Sequence, residues 1–209
     1  MTPDSSEPSP TKRPPRGEAR ARLIAAARDL VRRNGFAATS VDDLCAAAGV
    51  TKGAFFHHFA SKDALGVALI EDWTETTGAM FAAHPYNTAP DPFDRLLAYI
   101  DLRRALLSMP LPEFTCVAGT TVQEVYATSD PMRQAARASL VSGADHVRAH
   151  IAALLAAHPV PGVTAEGLAR QFQIAVQGGI ILAKAEGNAT PAAEALDHLE
   201  RYLRLLFGR

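Results

Sequence analysis

The sequence predicts an all-α protein, a small three-helix unit followed by a larger helical domain, and three observations carry that prediction. Apolar residues recur at three- and four-residue spacing along almost the whole chain. No run alternates apolar and polar residues for long enough to make a strand. Helix starts and stops punctuate the pattern: Ser or Thr before a periodic run, Asn-Gly, Gly or Pro after it. With 48% hydrophobic residues in 209, there is material for a substantial core.

Taken in order, residues 1–17 read as a disordered basic arm, with five prolines, several serines and almost nothing to bury. The first helix is expected over about 18–34, with Leu23, Ala27, Leu30 and Val31 on one face and Asn34-Gly35 as its stop. Ser40 opens a short second helix, and Asp43 stands three residues on at capping-box spacing, a weaker partner than Glu. Gly49 ends it. Thr51 caps a third helix over about 52–58. Ser61 caps a fourth, which carries Leu65, Leu69, Trp73, Thr76 and Met80 and ends at His84-Pro85. Five further helices follow, at about 91–108, 115–127, 130–157, 164–186 and 191–207. Asp130-Pro131 starts the third of these as a cap followed by proline.

Charge divides along the same boundary. Residues 1–62 hold 10 Lys or Arg against 6 Asp or Glu, and residues 63–209 hold 11 against 16. A basic N-terminal module on an acidic remainder suits a polyanionic partner at one end. The N-terminus lacks the apolar segment of a secretory signal, and no apolar run of about 18 residues implies a membrane span. Two cysteines, Cys45 and Cys116, are too few for a disulfide scaffold, so a cytoplasmic location is expected.

Residues 40–59 have the layout of a helix-turn-helix. That motif needs a small residue where its helices cross, a glycine in the turn and an apolar residue after it; Cys45, Gly49 and Val50 supply them. The second helix must bury one face and offer the other to a DNA major groove. Phe55 and Phe59, four apart, suit the buried face. Lys52, Gly53, Ala54, His57 and His58 are left for the groove and its walls, and Gly53 removes a side chain where backbone would approach DNA.

Residues 20–65 resemble the TetR family of bacterial repressors. The resemblance rests on Ala26-Ala27, Gly35-Phe36, Thr39-Ser40-Val41, Ala48 to Gly53, Phe55, His57, Phe59 and Ser61-Lys62. It implies three DNA-binding helices over 18–62, then a ligand-binding and dimerisation domain over 63–209 that begins with a linking fourth helix. Thr39, Ser40, Thr51, His57 and Lys62 match phosphate-contacting positions of the family, and Lys62 lies at a helix N-terminus that favours anions. Lys52 and Ala54 are the candidates for base contact, Ala54 through a thymine methyl. Lys12, Arg13 and Arg16 are placed to enter a neighbouring minor groove. The chain departs from the pattern at Phe56, where the family often has tyrosine, at His58, often another aromatic, and at Ala54, often Thr or Ser; Cys45 replaces a usual alanine.

Family members commonly hold an effector between the fourth to eighth helices. The resemblance therefore nominates Trp73, Met80, Phe81, Phe114, Cys116, Thr121, Phe172 and Gln177 as lining residues for a small, mostly apolar effector with one or two hydrogen-bonding groups. The helix at 164–186 is apolar most of the way round, as a helix buried on two sides would be. Gly178-Gly179 allow close approach, and Leu196, Leu199, Leu203 and Leu206 form a stripe on the last helix that would be a liability if exposed in a monomer. These six residues are the expected homodimer interface.

Cys116 has no Lys or Arg nearby in sequence and reads as a small hydrophobe, with a redox-responsive regulator as the alternative. His146 and His150 have chelating spacing, but no neighbour completes a site, so neither metal nor cofactor is expected. An all-helical enzyme finds no support, because nucleophile-elbow, phosphate-loop and His-Glu-x-x-His patterns are missing. The expectation is a ligand-responsive regulator, most simply a repressor, that binds palindromic double-stranded operator DNA as a homodimer and is released by an effector.

Overall fold

A computed structural model describes residues 17–209, so the arm expected at the N-terminus lies, up to residue 16, outside the described residues. Among the described residues the chain forms ten α-helices and one 3-10 turn, with no strand. They are α1 (Glu18–Asn34), α2 (Val41–Ala48), α3 (Lys52–His58), α4 (Lys62–Ala83), α5 (Pro92–Leu106), α6 (Leu111–Phe114), α7 (Val117–Val125), α8 (Asp130–Ala157), α9 (Ala165–Glu186) and α10 (Thr190–Phe207). The 3-10 turn, Pro85–Thr88, follows α4.

Local chemistry sets most boundaries. The Ser40 hydroxyl accepts the Asp43 N–H, and the Asp43 carboxylate accepts the Ser40 N–H, closing the expected capping box. Thr51 and Ser61 cap α3 and α4 in the same manner, each accepting the N–H three residues on. Two boundaries differ from expectation. Helix α5 stops at Leu106, short of the prolines, and Leu111-Pro112 open the separate single turn α6. Helix α7 starts at Val117 because Cys116 occupies its N-cap, the Sγ accepting the Gly119 N–H at 3.3 Å.

Two cores organise the packing. The first gathers Leu23, Ala27 and Val31 of α1 with Leu44, Ala48 and Phe55 of α2 and α3. It continues without a break into Leu65, Leu69 and Ile70 of α4, Val117 and Val125 of α7, and Met132 and Ala136 of α8. The second lies between α5, α8, α9 and α10, around Leu96, Tyr99, Ile100, Ile151, Leu154 and Phe172. Helix α8 is the common spine, packed on α4, α5, α7 and α9.

The leucine stripe of α10 corrects an expectation. Leu196, Leu199 and Leu203 are 3%, 4% and 0% exposed within the single chain, and Leu206 packs against the same core. Helix α10 folds back on α9 and α5, so its leucines are covered intramolecularly, at roughly 1.5–3 kcal/mol each. Arg104 of α5 fastens the joint through Asp197 and Glu200. Gly179 also faces inward, since a Cβ there would stand 2.9 Å from the Ala192 Cα of the same chain. What α9 and α10 leave outside is a different apolar face: Ile174, Ile181 and Leu182 of α9, with Gly178 open between them, and Tyr202 and Leu205 of α10.

Candidate DNA-binding surface and effector cleft

The turn between α2 and α3 is set by Gly49, whose φ of 61° is the left-handed conformation that favours glycine. Its N–H and that of Val50 return to the last carbonyls of α2. Phe55 is fully buried and Phe59, just past the end of α3, nearly so, while Lys52, Gly53, Phe56 and His57 are exposed and Ala54 and His58 are half-exposed. The outer face of α3 is thus the one expected to meet DNA. Phe56 is 55% exposed, an apolar ring at the tip of the reading head. Lys52 pairs with Asp42 of α2 at 2.8 Å, and this carboxylate raises the lysine's pKa first by hydrogen bonding and then by its charge.

Two of the expected phosphate contacts are otherwise engaged. Thr39 is buried, and its hydroxyl donates to the Gly35 carbonyl at 2.7 Å. The Lys62 ammonium donates to the carbonyls of Phe36 and Thr39, both at 2.9 Å, and lies over the Phe36 ring. Both residues therefore hold the loop between α1 and α2 in shape. Ser40 and Thr51 remain exposed at helix N-termini. The same loop is gripped from the other domain by Glu124 of α7, whose carboxylate accepts the N–H of Phe36 at 3.1 Å and of Ala37 at 2.6 Å.

Behind the head, α4, α5, α6, α8 and α9 enclose a cleft. Trp73, Phe81, Phe114, Cys116 and Gln177 line it, as the sequence suggests. Three nominated residues do not. Met80 points to solvent at 41% exposure, Phe172 is sealed in the second core, and Thr121 is buried on α7 with its hydroxyl unpartnered. The cleft measures about 60 Å³. One water needs about 10–15 Å³ on that measure, so there is room for a few waters. A smaller apolar chamber of about 30 Å³, lined by Leu106, Leu107 and Leu196, adjoins it across Arg103, Phe114, Val176 and Ile180.

Cys116 has cationic neighbours that its sequence surroundings hide, because Lys184 of α9 and Arg32 of α1 lie near it in the fold. Lys184 donates to the Thr120 hydroxyl at 2.7 Å. His146 and His150 do not converge: His146 lies against the Phe81 ring and His150 meets the Asn87 side chain at 3.0 Å. No group of three or more metal-ligating side chains occurs among the described residues.

Sequence reasoning missed Arg103, His146 and Gln173 as cleft residues, and Glu124 as the loop's second anchor. Arg103 sits beside Arg104 in a charged run that resembles a solvated helix face, and nothing local separates their fates. Glu124 lies 88 residues from Phe36, beyond any local pattern.

A three-helix head presenting α3, joined through α4 to a helical domain with an internal cleft, defines the helix-turn-helix class of transcriptional regulators. Residues 23–69 match the family of bacterial regulatory proteins, tetR family, and residues 92–199 match the tetracyclin repressor-like C-terminal domain; the chain belongs to the TetR family. It is 26% identical over 200 residues to the transcriptional regulator AcuR of Cereibacter sphaeroides, covering 91% of this chain and 90% of that protein. It is 31% identical over 130 residues to an HTH-type transcriptional repressor of Mycobacterium tuberculosis, covering 58% and 68%. A TetR transcriptional regulator from Chloroflexus aurantiacus shares its fold with a TM-score of 0.75 at 29% identity, over 90% and 95% of the two chains. The protein is a DNA-binding transcriptional regulator, and no helix among the described residues is long and apolar enough to cross a membrane.

Proposed function

We propose that this regulator is a repressor that binds a two-fold symmetric operator as a homodimer and releases it when a small, mostly apolar effector enters the cleft. The observation that carries this reading is the double attachment of α7: Cys116 at its N-terminus lines the cleft, and Glu124 near its C-terminus holds the α1–α2 loop of the head. An effector that widens the cleft displaces α7 and with it the head, so it binds the DNA-free arrangement better and shifts the population toward it. Ser40, Thr51 and His57 contact phosphates, Lys52 and Ala54 base edges, and Gly53, Phe56 and His58 complete the surface. The outward face of α9 and α10 supplies the dimer contact, because Ile174, Ile181, Leu182, Tyr202 and Leu205 form an apolar patch of the kind that marks an interface. A cytoplasmic location follows from this role. The test is a gel shift of the full-length protein on DNA upstream of its own gene, beside sedimentation. A monomer in solution, or equal affinity for that DNA and for unrelated DNA, contradicts the reading.

A second reading, release by oxidation or alkylation of Cys116, is favoured by one arrangement. The thiol sits at the α7 N-terminus in the cleft, with the cationic side chains of Lys184 and Arg32 near it. A Cys116→Ser protein that still loses operator on peroxide treatment excludes it.

A further inference from the structure

The cleft contains a cation to which the described residues offer no carboxylate. Arg103 and Arg104 are neighbours on α5 and are treated in opposite ways. Arg104 meets three carboxylates, Asp101, Asp197 and Glu200. Arg103 has no carboxylate partner among the described residues, and the cleft it lines contains no Asp or Glu. Arg103 is half-buried, and a partly covered charge without a counter-ion gains from any group that meets it. Here the compensation is partial. The guanidinium lies 4.3 Å from the centre of the Phe81 ring and 5.1 Å from that of Tyr99, and its Nε and one Nη donate to the Tyr99 hydroxyl at 2.9 and 2.7 Å. Stacked and tied on one edge, it is held rigidly, with its other Nη free to donate.

The surroundings complete a recognition site. Phe81 is shared between Arg103 and His146, whose ring lies 4.9 Å from it. Burial, and then the charge of Arg103, keep His146 below its ordinary pKa, so at neutral pH it adds a neutral N–H rather than a second cation. Gln173 donates to the Leu140 carbonyl at 3.1 Å and leaves its buried Oε1 unpartnered. The adjoining chamber beyond Arg103 is walled by Leu106, Leu107 and Leu196.

From this we infer that the effector is a small organic carboxylate, its anionic head on Arg103 and its apolar body in the chamber lined by Leu106, Leu107 and Leu196. A guanidinium fork matches a planar carboxylate, and an apolar chamber next to it selects the chain or ring the carboxylate carries. The inference rests on the reading of the cleft as the effector site and gives that effector its chemical class.

The experiment is thermal unfolding and calorimetric titration of the full-length protein with straight-chain monocarboxylates from propionate to octanoate, benzoate and phenylacetate, each beside its primary amide. At least one carboxylate raises the unfolding temperature at millimolar concentration while its amide does not. Arg103→Gln weakens that carboxylate by about 10–100-fold, the loss expected for a charged hydrogen-bonded contact. Arg103→Lys, which keeps the charge and guards against a folding defect in the first variant, retains part of the affinity. Three results overturn the inference: no carboxylate of the set binds, amides bind as well as their acids, or Arg103→Gln binds the carboxylate as wild type does. Operator binding by the wild-type protein is measured separately. Its absence sinks the regulator reading of the cleft, whereas failure of the carboxylate arm alone sinks only the anion site.

Discussion

Glu124 and Lys62 hold one short loop by opposite poles of its peptide groups. The Glu124 carboxylate takes the N–H groups of Phe36 and Ala37, and the Lys62 ammonium takes the carbonyls of Phe36 and Thr39. One anchor comes from the regulatory helices and the other from the linking helix, so the entry to the DNA-reading pair is fixed from both sides. Glu124→Ala is expected to cost about 1 kcal/mol, since the contact is partly solvated. Its larger effect falls on coupling: effector still binds, but operator affinity with and without effector converges. Paired titrations on wild type and variant measure this, and an unchanged ratio removes Glu124 from the route.

Lys62→Ala acts on the head itself. With its ammonium spent on carbonyls, loss of Lys62 loosens the α1–α2 loop and lowers the unfolding temperature along with operator affinity. Lys52→Ala leaves the fold intact and reduces discrimination between operator and unrelated DNA, by about 1–3 kcal/mol for a good base contact. A Lys62→Ala protein with wild-type stability contradicts the first expectation, and a Lys52→Ala protein that keeps its specificity ratio contradicts the second.

Asp42 holds the ammonium of Lys52, the side chain proposed to reach base edges. Asp42→Asn frees the ammonium and removes a negative charge from the reading face, so operator affinity rises, by up to about five-fold on the scale of an exposed ion pair. The gain shrinks as salt rises. Equal or weaker binding at low salt shows that Asp42 aids recognition instead.

Two apolar faces give opposite outcomes when charged. Ile181→Glu on the outer face of α9 yields folded monomers that no longer bind operator. Leu199→Glu places an unpaired charge in the second core and destabilises the chain by several kcal/mol, about 3–5 for a buried uncompensated charge. Sedimentation and circular dichroism separate the two. A dimeric Ile181→Glu protein moves the interface elsewhere.

Stability falls on mild acidification. Burial, and then the charges of Arg103 and Arg95 respectively, lower the pKa values of His146 and His150 below the ordinary 6.5. As pH drops through about 6.5 the unfolded chain takes up protons that the folded chain refuses, so folding weakens toward the lower folded values. The slope is at most about 1.4 kcal/mol per pH unit for each imidazole, and less with solvent access. Unfolding temperatures at pH 7.5 and 5.5 show the loss, and the double variant His146→Gln, His150→Gln flattens it.

What was legible in the sequence was local. Ser40, Thr51 and Ser61 announce helix starts because their hydroxyls serve backbone donors three residues away, and Gly49 marks a turn that only a left-handed residue makes well. Amphipathic spacing shows that α10 has a leucine face, but not that α5 and α9 cover it, so a stripe that reads as an interface is buried within the chain. The cleft was half legible: aromatic residues such as Trp73 and Phe81 point to it by size and position. Arg103 is distinguished only by the fold, which gives Asp101, Asp197 and Glu200 to Arg104.

The unbroken first core has a consequence for protein engineering. Chimaeric regulators are assembled by cutting such chains behind the DNA-reading module and grafting a foreign sensor, and residue 62 offers a natural-looking seam. Here that cut strips Leu65, Leu69, Val125 and Met132 from one hydrophobic body and leaves Leu23, Val31 and Phe36 facing water. The shared core predicts that head and sensor base unfold together, with amide hydrogens in α1 and α7 exchanging at similar rates. A graft that works must carry the inner faces of α4, α7 and α8 along with the head.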